Sequence, residues 1–342
     1  MKRPLFYLSI FCTLLLTITT SCSKDNDNPS DDDTGGGGPE TSEILVKTQT
    51  EEPTLDFGRL YPNFNYSQKS FQITNIGTVP ISVTGIEIPS GYTLTEAFSS
   101  FSLGHLESRT FTIRFYPEED GDFKGTVRVS SDADQGTDSF QVIGKGSHTA
   151  LDYDGNEYNI VRIGNQLWTL ENYKGSTASD GSSLEYVSYA DQNLDRIYGK
   201  LYPRNTLIAW NSAGDRPYVK RVMPDFIIPT NTDWNNLFNF LGGTNVAGGK
   251  MKQAGTGLWQ APNTGATNSS GFTALPAGSY NNGTIYNTGT AARFWGYKDI
   301  DPAVYDYVYS CNLVNGSAEA IFQQTHSSGF FSVRLVQRKM TL

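Results

Sequence analysis

The residues able to do chemistry are few and scattered. Asp152-x-Asp154-x-Asn156 has the spacing of the opening ligands of a calcium loop. Such a loop needs Gly at its sixth position and an acid at its twelfth. Glu157 and Ile163 stand there instead, and Asp154-Gly155-Asn156 is the better fit to a hairpin turn. A nucleophilic triad needs a histidine within reach of Ser or Cys, oriented by an acid. His326, beside Thr325, Ser327 and Ser328, is the one histidine after residue 150, and no G-x-S-x-G elbow accompanies it. His105 and His148 have no partner nearby in sequence and are expected at the surface. Cys311 lies in the strand-like frame Tyr309-Ser310-Cys311-Asn312-Leu313, where a buried, inert thiol is expected. Zinc needs three or four clustered His, Cys or acids, and the sequence offers no such cluster. The expectation is no catalytic residue, no metal and no cofactor. Paired carboxylates for glycoside hydrolysis stay open.

The chemistry that remains is recognition. Gly242–Trp295 contains no acid and is dense in Gly and Asn, too dense for an expected regular helix or sheet. It also carries Trp259, Tyr280, Tyr286 and Trp295, with Asn263 and Asn282 among them. Aromatic faces with amide donors and acceptors suit sugars, and these six residues are the candidate ligand-binding set. They equally suit a loop-rich core that satisfies its own backbone, and that is the simpler reading for any one of them.

The elements that must position this stretch are partly legible. Thr230 is a helix N-cap and Asp233, three residues on, completes a capping-box variant. Trp234, Leu237, Phe238 and Leu241 follow at i, i+3, i+4 and i+7, and Gly242 takes the C′ position. A hairpin is expected over Leu151–Ile163. Upstream, Gln68–Thr74, Ile81–Ile88, Arg109–Phe115, Gly125–Ser131 and Ser139–Ile143 alternate polar and apolar residues between turn signals, the pattern of a β-sandwich.

The chain has 342 residues, a net charge of −9 and only 18% charged residues. Acidity argues against a nucleic-acid partner. Lys2 and Arg3 precede an apolar run, Leu5–Ile18, of secretory-signal length, and then Thr19-Thr20-Ser21-Cys22. Residues 22–43 hold seven acids and no core-forming residue beyond Cys22, so they read as a self-repelling tether.

Several of these segments resemble known families. The Ser21-Cys22 junction resembles a bacterial lipoprotein lipidation site, with Cys22 as the lipidated residue. The acidic run after it resembles the surface-export signal of Bacteroidetes lipoproteins. Leu55-Asp56-Phe57-Gly58, Ile73-Thr74-Asn75-Ile76-Gly77, Phe115-Tyr116-Pro117 and Val142-Ile143-Gly144-Lys145-Gly146 resemble the immunoglobulin-like ASH or choice-of-anchor family. From 150 to 338, the series Gly164-Asn165-Gln166-x-Trp168, Glu171-Asn172, Ile228-Pro229-Thr230, Asn268-x-x-Gly271-Phe272-x-Ala274-Leu275-Pro276 and Ser332-Val333-Arg334 resembles the Fibrobacter succinogenes major paralogous domain family. The family's two cysteine positions are Met223 and Leu335 here. Their joint absence fits a pair that forms a disulfide in relatives.

The resemblances imply a multidomain chain. A lipoprotein signal peptide spans 1–21, the tether 22–43 and an all-β immunoglobulin-like sandwich 44–148. A loop-rich α+β domain related to the formylglycine-generating-enzyme and C-type-lectin fold spans 150–342. They imply an outer-membrane, lipid-anchored protein facing the cell exterior, not an enzyme. Its partners would be the membrane, through the lipid, and a glycan or surface protein. A structural or accessory subunit of a surface assembly such as a fimbria is the alternative.

Overall fold

The computed structural model describes residues 39–50, 52–210, 217–219, 221–297, 308–325 and 328–339. The expected signal peptide, Cys22 and most of the tether lie outside the described residues, as does His326 with its triad reading. From Thr41 onward the chain forms one compact unit.

The N-terminal module is built from β1 (Glu43–Thr48), β2 (Thr54–Leu60), β3 (Ser67–Asn75), β4 (Ile81–Glu87), β5 (Tyr92–Leu94), β6 (Phe101–Leu103), β7 (Ser108–Phe115), β8 (Gly121–Ser131), β9 (Gln135–Thr137) and β10 (Ser139–Gly146). One sheet runs β5-β7-β3-β1-β9 and the other β2-β10-β8-β4-β6. Side chains alternate across each strand. Phe111, Ile113 and Phe115 of β7 are therefore fully buried while Thr110, Thr112 and Arg114 are not. They meet Phe71, Ile73, Val127 and Val142 in one core. This is the expected immunoglobulin-like sandwich. The five strands read from alternation are present; β1, β2, β5, β6 and β9 add to them.

The tether ends earlier than expected. The amides of Thr78 and Val79 donate to the Thr41 carbonyl at 2.8 and 3.2 Å. A Cβ on Gly77 would sit 2.3 Å from that same oxygen, so the Asn75-Ile76-Gly77 turn clasps the incoming chain and only Gly fits.

The second module, the head, contains β11 (Thr149–Leu151), β12 (Glu157–Ile163), β13 (Gln166–Thr169), α1 (Gln192–Tyr198), β14 (Tyr202–Pro203), α2 (Arg204–Leu207), β15 (Ile208–Trp210), β16 (Pro217–Val219), α3 (Asn231–Phe240) and α4 (Thr244–Met251). It continues with β17 (Ser279–Asn281), β18 (Thr284–Tyr286), β19 (Ala291–Tyr297), β20 (Val308–Val314), β21 (Ile321–Thr325), β22 (Phe330–Phe331) and β23 (Val336–Arg338). Its larger sheets run β11-β12-β13-β23, β14-β22-β17-β18 and β19-β20-β21. The protein as a whole is mostly sheet. The expected likeness of the head to the formylglycine-generating-enzyme and C-type-lectin fold is not supported, because its helices are short pieces of four to ten residues.

α3 has the expected capping box: the Thr230 side chain accepts from the Asp233 amide, and the Asp233 carboxylate accepts from the Thr230 amide. Trp234, Leu237, Phe238 and Leu241 are buried in the core. α4 corrects the expectation that Gly242–Trp295 holds no regular helix. Gly248 and Gly249 lie inside it for a packing reason. A Cβ on Gly248 would come within 2.3 Å of the Glu319 carbonyl, and one on Gly249 within 2.4 Å of the Gly265 carbonyl. Two loops cross the helix at backbone distance, which outweighs the propensity cost of Gly.

The two modules share a core residue. Phe64, in the loop between β2 and β3, is 2% exposed and packs with Tyr158, Leu167 and Phe226 of the head. Arg162 covers its ring, 5.6 Å from the centroid.

Candidate functional site

The first hairpin shows what Asp152 does. Its Oδ1 accepts from the amides of Asp154 and Asn156 at 3.0 and 2.9 Å. Its Oδ2 accepts from the Asn156 amide group and the buried Tyr158 hydroxyl. The carboxylate is filled by an Asx-type turn, with Gly155 at φ +81°. Asp154 turns to the next loop instead. Burial acts to raise its pKa, but hydrogen bonds from Ser176 and Thr177 outweigh this and hold it below the usual carboxylate value. Among the described residues no group of three His, Cys, Asp or Glu could hold a metal ion.

The signature motifs converge on one side chain, Arg334, which is fully buried. Its Nη1 donates to the Thr169 and Phe272 carbonyls, both at 2.7 Å. Nη2 donates to the Thr273 carbonyl at 2.9 Å, and Nε to Asn172 Oδ1 at 2.7 Å. Desolvation pulls its pKa down to about 9, with Glu171 acting in the opposite sense. Thr273 can offer its carbonyl because it sits at φ +52°, stabilised by the Asn268 Oδ1 that accepts from its amide. Asn172 donates onward to the Tyr198 carbonyl and Ser332 Oγ. These residues hold the domain together; none is presented to a ligand.

A second buried cation does similar work. Lys252 is 0% exposed, and its Nζ donates to the carbonyls of Thr264, Val314 and Ser317 at 3.0, 2.9 and 2.7 Å. Burial lowers its pKa to about 8. It ties the loop at Thr264 to the end of β20 and the turn after it, residues 314–317, a role nothing in its local sequence signals.

Half of the candidate binding set is buried and structural. Trp259 is 1% exposed and donates from Nε1 to the Ala274 carbonyl at 2.9 Å. Trp295 is 0% exposed and donates to the Tyr202 carbonyl at 2.7 Å. Asn263 is buried, and its amide holds the Gln253 and Gly255 carbonyls. All three are buried and hold backbone carbonyls, Asn263 with its Oδ1 left unpaired, so none is open to a ligand. Asn282 and Gly283, at φ +45° and +83°, form the turn between β17 and β18. That Asn-Gly pair is a type I′ hairpin signal that identifies the turn from sequence. Tyr280 is half-buried, its ring edge-on to Phe330 at 4.9 Å. Tyr286, at 49%, and Asn282 are the exposed members of the set.

The remaining candidates are inert or local. Cys311 is fully buried in β20, and desolvation pushes its thiol well above the ordinary range. His148 contacts Asp120 at 2.6 Å and His105 contacts the Gly77 carbonyl at 2.5 Å, so both have partners that sequence proximity did not reveal. Met223 and Leu335, which replace the expected cysteines, are both fully buried in one apolar cluster.

Strand order and the buried arginine define a class: a predominantly β protein with an immunoglobulin-like sandwich ahead of a head knit around its own signature residues. Residues 161–337, just over half of the chain, match the family model of the Fibrobacter succinogenes major domain, and the chain belongs to that family. No curated protein matches the chain. Among solved structures it is similar to the ASH/PapD-like domain (PapD-like domain 7) of human CEP192, at 15% identity over 36% of this chain and 98% of that one, with a TM-score of 0.25. It is similar to the E. coli chaperone DraB at 14% identity over 54% and 98%, with a TM-score of 0.22. A protein of unknown function from Porphyromonas gingivalis W83 matches at 12% identity over 33% of this chain and 51% of that one, with a TM-score of 0.24.

Proposed function

We propose that the protein is a non-catalytic surface lipoprotein whose head binds a glycan or another surface ligand. The observation that carries this reading is the β17–β18 hairpin. Tyr286 stands exposed on an edge strand, paired with Ser279, on the face opposite the one where Tyr280, Ile285 and Phe330 pack. An aromatic ring held by a tight hairpin is a rigid platform for a sugar face, and Asn281 and Asn282 supply amides at its tip. The leader and Cys22 support a lipid anchor on the outer membrane, with the acidic tether holding the modules outward. The −9 charge disfavours nucleic acid. β18 ends its sheet, and that free edge favours a second reading, a subunit that joins a surface assembly by strand addition. The test is a glycan array probed with the mature chain and with Tyr286→Ala. Saturable binding lost in the variant supports the first reading. Ligand-free, concentration-dependent polymers would favour the second, and released hydrolysis products would overturn both.

A further inference from the structure

We infer that Asn282, at the tip of the β17–β18 hairpin, is a site of spontaneous deamidation. The Gly283 backbone nitrogen attacks the Asn282 side-chain carbonyl carbon. The new nitrogen–carbon bond replaces the side-chain carbon–nitrogen bond, and the Gly283 amide proton goes to the departing NH2, which leaves as ammonia. Water then opens the five-membered cyclic imide at either carbonyl, giving aspartate or isoaspartate. Water is the one co-reactant. The inference stands whether or not the head binds a ligand.

A side chain on the residue after Asn hinders this attack, so Asn-Gly is the reactive pair. It occurs twice in the chain, at 282–283 and at 315–316. A Cβ on either glycine would meet nothing within 4 Å, so steric access is equal. The asparagines differ. Asn315 Nδ2 donates to the Gln260 and Ala261 carbonyls at 3.3 and 3.0 Å, and its backbone amide donates to the Thr290 carbonyl at 2.9 Å. Its leaving group is held and its backbone is pinned. Asn282 is exposed, and among the described residues no hydrogen bond holds its side-chain amide.

Ring closure requires the peptide after Asn282 to rotate out of the tight turn, so the rate follows local opening of the tip. That opening is cheap. β17 and β18 share three residue pairs, β18 has no other neighbour in its sheet, and β17 is tied onward by the single pair Tyr280 with Phe330. Asn282, Gly283 and Thr284 are all exposed. Short, exposed elements lie at the low end of local opening free energies. Asn315 instead follows β20, the central strand of its sheet. The products change the hairpin. Aspartate places a negative charge at the tip. Isoaspartate adds a methylene to the backbone of a two-residue loop whose residues both sit at positive φ, and such a loop sets the strand register. The isoaspartate form therefore releases β18 and, with it, Tyr286 from its pairing with Ser279.

The test incubates the mature chain at 37 °C in neutral to mildly alkaline buffer, with and without urea, and follows each Asn-Gly pair by tandem mass spectrometry. In the folded chain the one-dalton gain is expected roughly tenfold faster at Asn282 than at Asn315, and faster at higher pH, because the Gly283 nitrogen must lose its proton. In urea the two pairs should react at similar rates. The gain should vanish at this position in Asn282→Gln, whose longer side chain closes a less favourable six-membered ring. Equal rates at the two pairs in the folded chain, a gain at Asn282 that appears only in urea, or a gain that persists at 282 in the Gln variant would each overturn the proposal. The isoaspartate fraction, separated by ion exchange, should show faster amide hydrogen exchange across residues 284–286. Unchanged exchange there would overturn the release of β18.

Discussion

Arg334 donates to the Phe272 carbonyl at 2.7 Å while its guanidinium carbon lies 4.6 Å from the centre of the same residue's ring. One residue thus supplies both a hydrogen-bond acceptor and a cation–π surface. The two signature segments, Asn268–Pro276 and Ser332–Val336, are joined by this contact. No carboxylate bonds the guanidinium; backbone carbonyls and one amide oxygen satisfy it. Removing the side chain leaves three carbonyls and Asn172 Oδ1 without their donor. Arg334→Met is expected to cost at least about 3 kcal/mol in denaturant unfolding, in the range seen when a buried polar network loses a member. Arg334→Lys should not restore it, because an ammonium lacks the planar fork that reaches all four acceptors. Full rescue by Lys would show that charge alone matters at this position.

Gly248→Ala opposes two effects of known sign. Helix propensity favours Ala over Gly by roughly 1 kcal/mol. The new methyl, however, would meet the Glu319 carbonyl at 2.3 Å, and backbone cannot swing aside like a side-chain tip. The clash should win, with a net loss of about 1–3 kcal/mol. A Tm equal to or above wild type would mean that the 318–319 loop yields freely.

These two sites show what the sequence could and could not convey. α3 was legible because its cap, its apolar stripe and its terminal Gly all lie within about a dozen residues and follow local rules. The sandwich strands were legible for the same reason: alternation is local. α4 was hidden because its glycines answer to backbone outside the helix: Gly248 to the Glu319 carbonyl, some seventy residues on, and Gly249 to the Gly265 carbonyl. Trp259 and Trp295 read as a sugar platform because aromatic type is visible in sequence and burial is not. The β17–β18 turn was overlooked although its Asn282-Gly283 pair was in plain view. Lys252 gave no local signal, since two of its three partners, Val314 and Ser317, lie more than sixty residues away.

Lys252 also sets a pH dependence. Burial lowers its folded pKa to about 8 from the ordinary lysine value of 10.5. Between those values the unfolded chain binds more protons than the folded one, so stability rises with pH there. Below about pH 8 both states hold the proton and the penalty of burying the charge is present in full. Lys252→Met has no such titration, although it removes three hydrogen bonds to backbone carbonyls and should be less stable overall. The difference in unfolding free energy, wild type minus variant, is expected to grow as pH climbs from 8 toward 10.5. Parallel stability profiles for the two proteins across that window would exclude the effect.

Trp259 and Tyr286 separate packing from recognition. Trp259 is 1% exposed in the cluster with Trp168, Phe272 and Phe294, and its ring faces Lys252 at 5.4 Å. Trp259→Ala is therefore expected to lose about 3–5 kcal/mol, the usual cost of emptying a large aromatic site. It would also remove one of the two donors to the Ala274 carbonyl, leaving the Gln253 amide. Any binding lost in that variant would report unfolding. Tyr286, 49% exposed on an edge strand, has little packing to lose, and Tyr286→Ala should change stability by no more than about 0.5 kcal/mol. Urea unfolding of both variants checks the contrast. If Trp259→Ala were as stable as wild type, the burial argument against it as a ligand contact would fail, and the aromatic residues of the loop would return as candidates.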